Sequence, residues 1–156
     1  LRDSGYDIDS PNGFQLDVLY EDLENLAIGN DIMSPKYLPN GTGVSIPNAI
    51  PVKAEKITII EGTATLFDGI KDIFDVKIYI EANDEIRKKR FMQRASDERN
   101  QDRENALKHW DYLIIAGQKY VVPTRKEADL ILNGDADLDY LSQIIEYLHY
   151  VTNSFE

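Results

Sequence analysis

Three short apolar runs, Ile57-Thr58-Ile59-Ile60, Val76-Lys77-Ile78-Tyr79-Ile80 and Leu130-Ile131-Leu132, limit most strongly what this chain can fold into. The first is β-branched and nearly all apolar, as a strand buried on both faces would be. The stretches between the runs carry helical patterns, one over residues 62–73 and a long charged one from about 84 to 118. Strands separated by helices indicate an α/β fold with a parallel sheet and right-handed crossovers. Strands are therefore expected at about 57–60, 76–80 and 129–132, with a long charged helical stretch from about 84 to 118.

The flanks extend this pattern. Ser10-Pro11 is expected to open a helix that carries Leu16, Leu19, Leu23 and Leu26 on one face, with Gly29-Asn30 closing it. Residues 31–54 contain Pro35, Pro39, Pro47 and Pro51 with Gly41 and Gly43, which exclude a helix and suggest loops around short edge strands. A last amphipathic helix uses Leu138, Leu141, Ile144 or Ile145, and Leu148.

With 156 residues, 42% of them hydrophobic, the chain can bury the core of one domain. The absence of cysteine removes disulfide scaffolds, zinc fingers and thiol nucleophiles together. No apolar run is long enough to span a bilayer, and residues 1–10 show no secretory pattern. A soluble, cytoplasmic domain is expected, and the start at Leu1 points to a processed, trimmed or partial product.

Charge is uneven. Twenty-eight acidic against 17 basic residues give a net charge of −11, which argues against nucleic acid as a partner. Yet Arg87, Lys88, Lys89, Arg90 and Arg94 form a window of five cations without an anion, extended by Arg99 and Arg103. On a helix, Arg87, Arg90 and Arg94 share one face because they are spaced by three and four. A solvated helix face is one account of such a run; an anion clamp is the sharper one, since the arginine fork suits phosphate oxygens.

Taken together, several segments resemble the uridine kinase branch of the uridine kinase/phosphoribulokinase family. Asp9-Ser10-Pro11-Asn12-Gly13-Phe14 is similar to the segment opening that family's nucleoside-binding helix, and Pro35-Lys36-Tyr37 to its Pro-x-Tyr loop. Ile57 to Gly62 is similar to a strand ending in Glu-Gly, and Arg87 to Asp102 to the arginine-rich lid. Pro123-Thr124-Arg125-Lys126-Glu127-Ala128-Asp129 is similar to the segment before the last strand.

The resemblance implies a partial P-loop-kinase-like, three-layer fold in a single domain over 1–156. Its parts would be an acceptor-binding segment at 6–54, a sheet core at 55–82, a lid at 83–118 and a C-terminal strand and helix at 128–150. It further implies an ATP-dependent kinase that phosphorylates a hydroxyl of a nucleoside or related metabolite. Arg94, Arg99 and Arg90 would then stabilise the transferring phosphoryl group, Asp9 would bind ribose hydroxyls and Tyr37 would meet the base. Glu61 would hold a water on Mg²⁺, and ATP with Mg²⁺ would be the cofactors. Each residue also has a plainer account: surface ion pairs for the arginines, helix capping for Asp9, loop packing for Tyr37 and a dipole-favoured helix start for Glu61.

Three departures fall where the family contacts a pyrimidine. Arg99-Asn100-Gln101-Asp102 stands for the family's Arg-Gly-Arg-Asp, and Thr42 and His109 fall where the family has histidine and glutamine. These departures count against uridine or cytidine as the acceptor, and His109 is expected to be a helix-face residue beside Trp110. The family's Gly-x-x-x-x-Gly-Lys-Ser/Thr loop is not found in these 156 residues, nor is its upstream aspartate base. The chain is accordingly expected to be incomplete and inactive alone. A non-catalytic binding or scaffold domain with the same fold is the alternative, and an acidic α/β domain with a merely solvated arginine run is the third account. The expected partners are a small-molecule acceptor and a nucleotide, without nucleic acid or membrane; a homo-oligomer is left open.

Overall fold

Leucines spaced by three and four build a helix in the computed structural model, which describes residues 10–37, 45–136 and 138–153. Helix α1 spans Leu16–Ala27 and buries Leu23 and Leu26. It starts later than Ser10-Pro11 suggests, because Pro11–Gly13 form a separate 3₁₀ turn and Phe14 returns to extended backbone. Gly29, at φ +88°, ends the helix as expected of a glycine cap.

The proline-rich stretch forms a hairpin of β1 (Ile32–Tyr37) and β2 (Ser45–Val52), antiparallel, with Ile32 opposite Val52 and Ser34 opposite Ile50. Its register shifts between Ser34 and Lys36, around Pro35, which has no N–H to donate.

Two expectations are corrected. Residues 57–60 form no strand, and Ile59 is 74% exposed. β-branched composition supplies propensity, but a strand exists only through hydrogen bonds to a neighbour, and none pairs here among the described residues. Residues 62–73 form turns and a 3₁₀ segment, Lys71–Ile73, instead of a helix. Gly62 at φ +155° and Gly69 at φ +97° interrupt the helical repeat. The segment still buries its apolar side chains. Ala64, Phe67 and Ile70 cluster with Phe14, Leu16, Leu19 and Tyr120, and Phe67 meets Phe14 edge-on at 6.0 Å.

The other two runs pair as expected of an α/β fold. β3 (Ile78–Glu81) and β4 (Leu130–Asn133) are parallel, in register from Ile78 opposite Leu130 to Glu81 opposite Asn133. Carboxylates pin both ends: Lys77 N–H donates to Asp129 at 2.7 Å, and Asn83 N–H donates to Asp135 at 2.9 Å. The first bond is the main reason the Asp129 carboxyl sits below its usual range. Gly134 follows β4 so closely on β3 that a Cβ would lie 2.8 Å from Ile80 Cγ2.

The charged stretch becomes two helices, α2 (Asp84–Asp97) and α3 (Arg103–Ala116). Asn83 caps the first through Glu85 N–H at 2.8 Å, and Asp102 caps the second through Asn105 N–H at 3.0 Å. Phe91, Ala95, Ala106 and Trp110 form the buried seam between them, with Met92, Leu113 and Ile114 packed alongside. Beyond α3 the chain passes through a π-turn, Gly117–Val121, and a 3₁₀ segment, Val122–Glu127. After β4 comes the last helix, α4 (Leu138–Asn153). No helix among the described residues is long and apolar enough to cross a membrane.

Candidate functional site

Helix α2 begins just past the carboxyl end of β3, the edge of a parallel sheet where ligands usually bind. Its three-and-four spacing brings Arg87, Arg90 and Arg94 to one cavity of about 650 Å³. Thr63, from the turn after Glu61-Gly62, lines the same cavity, as do Phe91, Trp110 and Leu113 from the helical seam. Asp97 and Glu98 are the acidic residues of its lining among the described residues.

The three arginines are held differently. Arg87 Nη1 bonds Asp84 Oδ1 at 2.7 Å, and its guanidinium lies 5.8 Å from the Trp110 ring centroid, within cation–π range. Arg90 Nη1 donates to Gly134 O at 2.9 Å and so ties α2 to the turn after β4. The Arg94 side chain has no partner among the described residues. A cationic face with one uncommitted guanidinium, beside an aromatic wall and a threonine hydroxyl, can take an anion and orient a flat group next to it.

The other expected site residues are placed less centrally. Arg99 sits exposed in the turn between α2 and α3 and does not line the cavity. Asn100 occupies the left-handed region there, at φ +46°. Glu61 is exposed, and it follows an unpaired segment instead of ending a strand. Asp9 and Thr42 lie outside the described residues, and Tyr37 closes β1 opposite Ser45. His109 packs edge-on against Phe91 at 5.1 Å in the helical seam, next to Trp110.

Trp110 and Thr63 as cavity walls were not singled out from the sequence. The four-residue step from Ala106 to Trp110 marks the α3 face that meets α2, which is the signal that could have found Trp110. Thr63 carries no such signal.

Ion pairs brace the surroundings. Lys71 Nζ bridges Asp68 at 2.7 Å and Glu127 at 2.9 Å, which raises the Lys71 pKa and lowers both carboxyls. Arg125 pairs with Glu81 at the end of β3, and that bond raises the Arg125 pKa. Among the described residues no three His, Asp or Glu side chains converge as a metal cage.

The Phosphoribulokinase / Uridine kinase family profile matches residues 2–139. The chain is 29% identical to the uridine-cytidine kinase A of Dictyostelium discoideum over 136 residues, covering 86% of this chain and 27% of that protein. It is 30% identical to a uridine kinase of Saccharomyces cerevisiae, covering 85% of this chain and 27% of that one. It is 31% identical to a uridine kinase of Clostridium novyi, covering 80% of this chain and 60% of that one. The chain thus spans about a quarter of the two eukaryotic relatives and less than two thirds of the clostridial one.

Proposed function

This chain belongs to the phosphoribulokinase/uridine kinase family, and from that premise we propose that it is the acceptor-binding and lid part of an ATP-dependent kinase. The acceptor is a hydroxyl of a nucleoside or a related metabolite; the relatives are named for uridine and cytidine. One observation carries the proposal: Arg87, Arg90 and Arg94 line a single cavity together with Thr63 of the turn after Glu61-Gly62.

Phosphoryl transfer is mainly positioning and charge stabilisation, so cations around the transferring group and a dry, oriented acceptor are what the protein must supply. Arg94 is assigned the direct contact with phosphoryl oxygens, because no protein group competes for it among the described residues. Arg90 is assigned a second contact, made by exchanging Gly134 O for an anionic oxygen. Arg99 is assigned to the lid tip, reaching the phosphates when the lid meets its ligand. Asp9 is assigned to the ribose hydroxyls and Tyr37 to the base.

Mg²⁺ keeps most of its waters and needs few protein oxygens, so one exposed carboxylate suits it better than a cage. Glu61 fits as a holder of such a water, and the ion, when bound, neutralises charge on the phosphate oxygens. The 156 residues contain no Gly-x-x-x-x-Gly-Lys-Ser/Thr loop, so binding of the triphosphate is assigned to none of them. The proposed division is one domain with acceptor segment 6–54, sheet core 55–82, lid 83–118 and closing strand and helix 128–150.

The second proposal, from a different class, is a binding or scaffold domain that keeps the fold without turnover. The two are separated by an ATP-consumption assay on the 156-residue chain and on the product of the full reading frame, against nucleosides and sugar-like alcohols. The kinase proposal expects no turnover from the short chain and turnover from a long product that carries the loop. Turnover in the short chain refutes this placement of the chemistry; inactivity in a long product with an intact loop favours the scaffold.

A further inference from the structure

Helix α2 has a second populated face. Lys88, Met92 and Ser96 recur every four residues, about half a turn away from Arg87, Arg90 and Arg94. They line a second cavity of about 480 Å³, which shares Gln93 with the arginine cavity and is closed on its other side by Gln101 of the turn and by Arg103 and Leu107 of α3.

Its chemistry differs from that of the arginine cavity. None of its lining residues is acidic, in a chain of net charge −11. Lys88 and Arg103 approach from different helices, and neither forms an ion pair among the described residues. Ser96 and Gln101 add neutral hydrogen-bond donors, while Met92 and Leu107 supply an apolar floor. Two cations with neutral donors match a phosphate group, and a polarisable thioether beside a leucine matches a flat apolar body. The volume falls in the range of small-molecule sites.

We propose that this groove between α2 and α3 is a binding site for an organic phosphate, a phosphate monoester attached to a planar apolar group. The phosphate lies between Lys88 and Arg103, and the planar group lies on Met92 and Leu107. Lys88, Met92, Arg103 and Leu107 do not line the arginine cavity, and the site does not depend on the kinase proposal.

The test is an NMR titration of the ¹⁵N-labelled chain with a nucleoside monophosphate, the matching nucleoside and inorganic phosphate. The monophosphate is expected to give saturable shifts at residues 88, 92, 96, 101, 103 and 107. Lys88→Glu and Arg103→Glu should each weaken that binding at least about tenfold, as loss of a charge-assisted contact does. Arg94→Ala should leave these shifts in place, because Arg94 belongs to the other cavity. Both reversals lie on exposed side chains, and unchanged amide spectra away from the groove verify that the variants fold. Equal affinity for inorganic phosphate would overturn the proposal, since the apolar floor would then contribute nothing. So would a response to the nucleoside alone, shifts unchanged by both reversals, or monophosphate shifts confined to residues 63, 87, 90 and 94.

Discussion

Truncating the three cavity arginines one at a time should weaken anion binding in a fixed order, Arg94→Ala most, Arg90→Ala less and Arg87→Ala least. A charge-assisted hydrogen bond contributes about 1.5–3 kcal/mol, and solvent exposure places these contacts near the lower end. Arg94 gives up no protein bond when it takes an anion, so its removal should cost about 1.5–2 kcal/mol, roughly 10- to 30-fold in affinity. Arg90 must first release Gly134 O at 2.9 Å. That bond offsets about 0.5–1.5 kcal/mol, leaving a net loss of about 0–1.5 kcal/mol, at most roughly tenfold. Arg87 is engaged by Asp84 at 2.7 Å and by the Trp110 face, so its loss should be under about threefold. The chain's one tryptophan lines this cavity, which makes its fluorescence a direct probe in a pyrophosphate titration. Wild-type affinity should also fall as salt rises, because the arginines are exposed. If Arg94→Ala binds pyrophosphate like the wild type, or if Arg87→Ala loses more than Arg94→Ala, the argument from competing partners is wrong.

Phe91→Ala removes the centre of the seam between α2 and α3 and should lower stability by about 3–5 kcal/mol, read by urea unfolding through Trp110 fluorescence. Asn100→Ala should cost about 1 kcal/mol in thermal unfolding, since Asn100 sits at φ +46°, whereas Asn100→Gly should be neutral or mildly stabilising. The stability difference between wild type and Lys71→Met should be flat near neutral pH and shrink on acidification. Asp68 and Glu127 have folded pKa values lowered by Lys71, so their contribution is present above the usual carboxylate range, about 4, and is lost as pH falls through the folded values. Denaturation midpoints measured from pH 3 to 7 check this, and a difference that grows on acidification would contradict it.

Local pattern accounts for much of this molecule. The three-and-four spacing of Leu16 to Leu26 and the apolar runs that became β3 and β4 were legible in the amino-acid order. So was the shared face of Arg87, Arg90 and Arg94, because a helix converts spacing into direction without outside help. The rest depended on contacts distant in sequence. Residues 57–60 have strand composition, yet strand formation requires a partner that their own order does not specify. Residues 62–73 have helical spacing, but glycines in left-handed or extended backbone and a cluster built with α1 turned them into turns. Which arginine stays uncommitted was decided by Asp84, Trp110 and Gly134, the last 44 residues from Arg90. Sequence alone placed the cations on one side of a helix, since helical phase is a property of neighbours. Only the tertiary structure put Arg94, and not Arg99, on the lining of this cavity with a tryptophan and a threonine beside it, since that depends on which distant side chains the fold brings together.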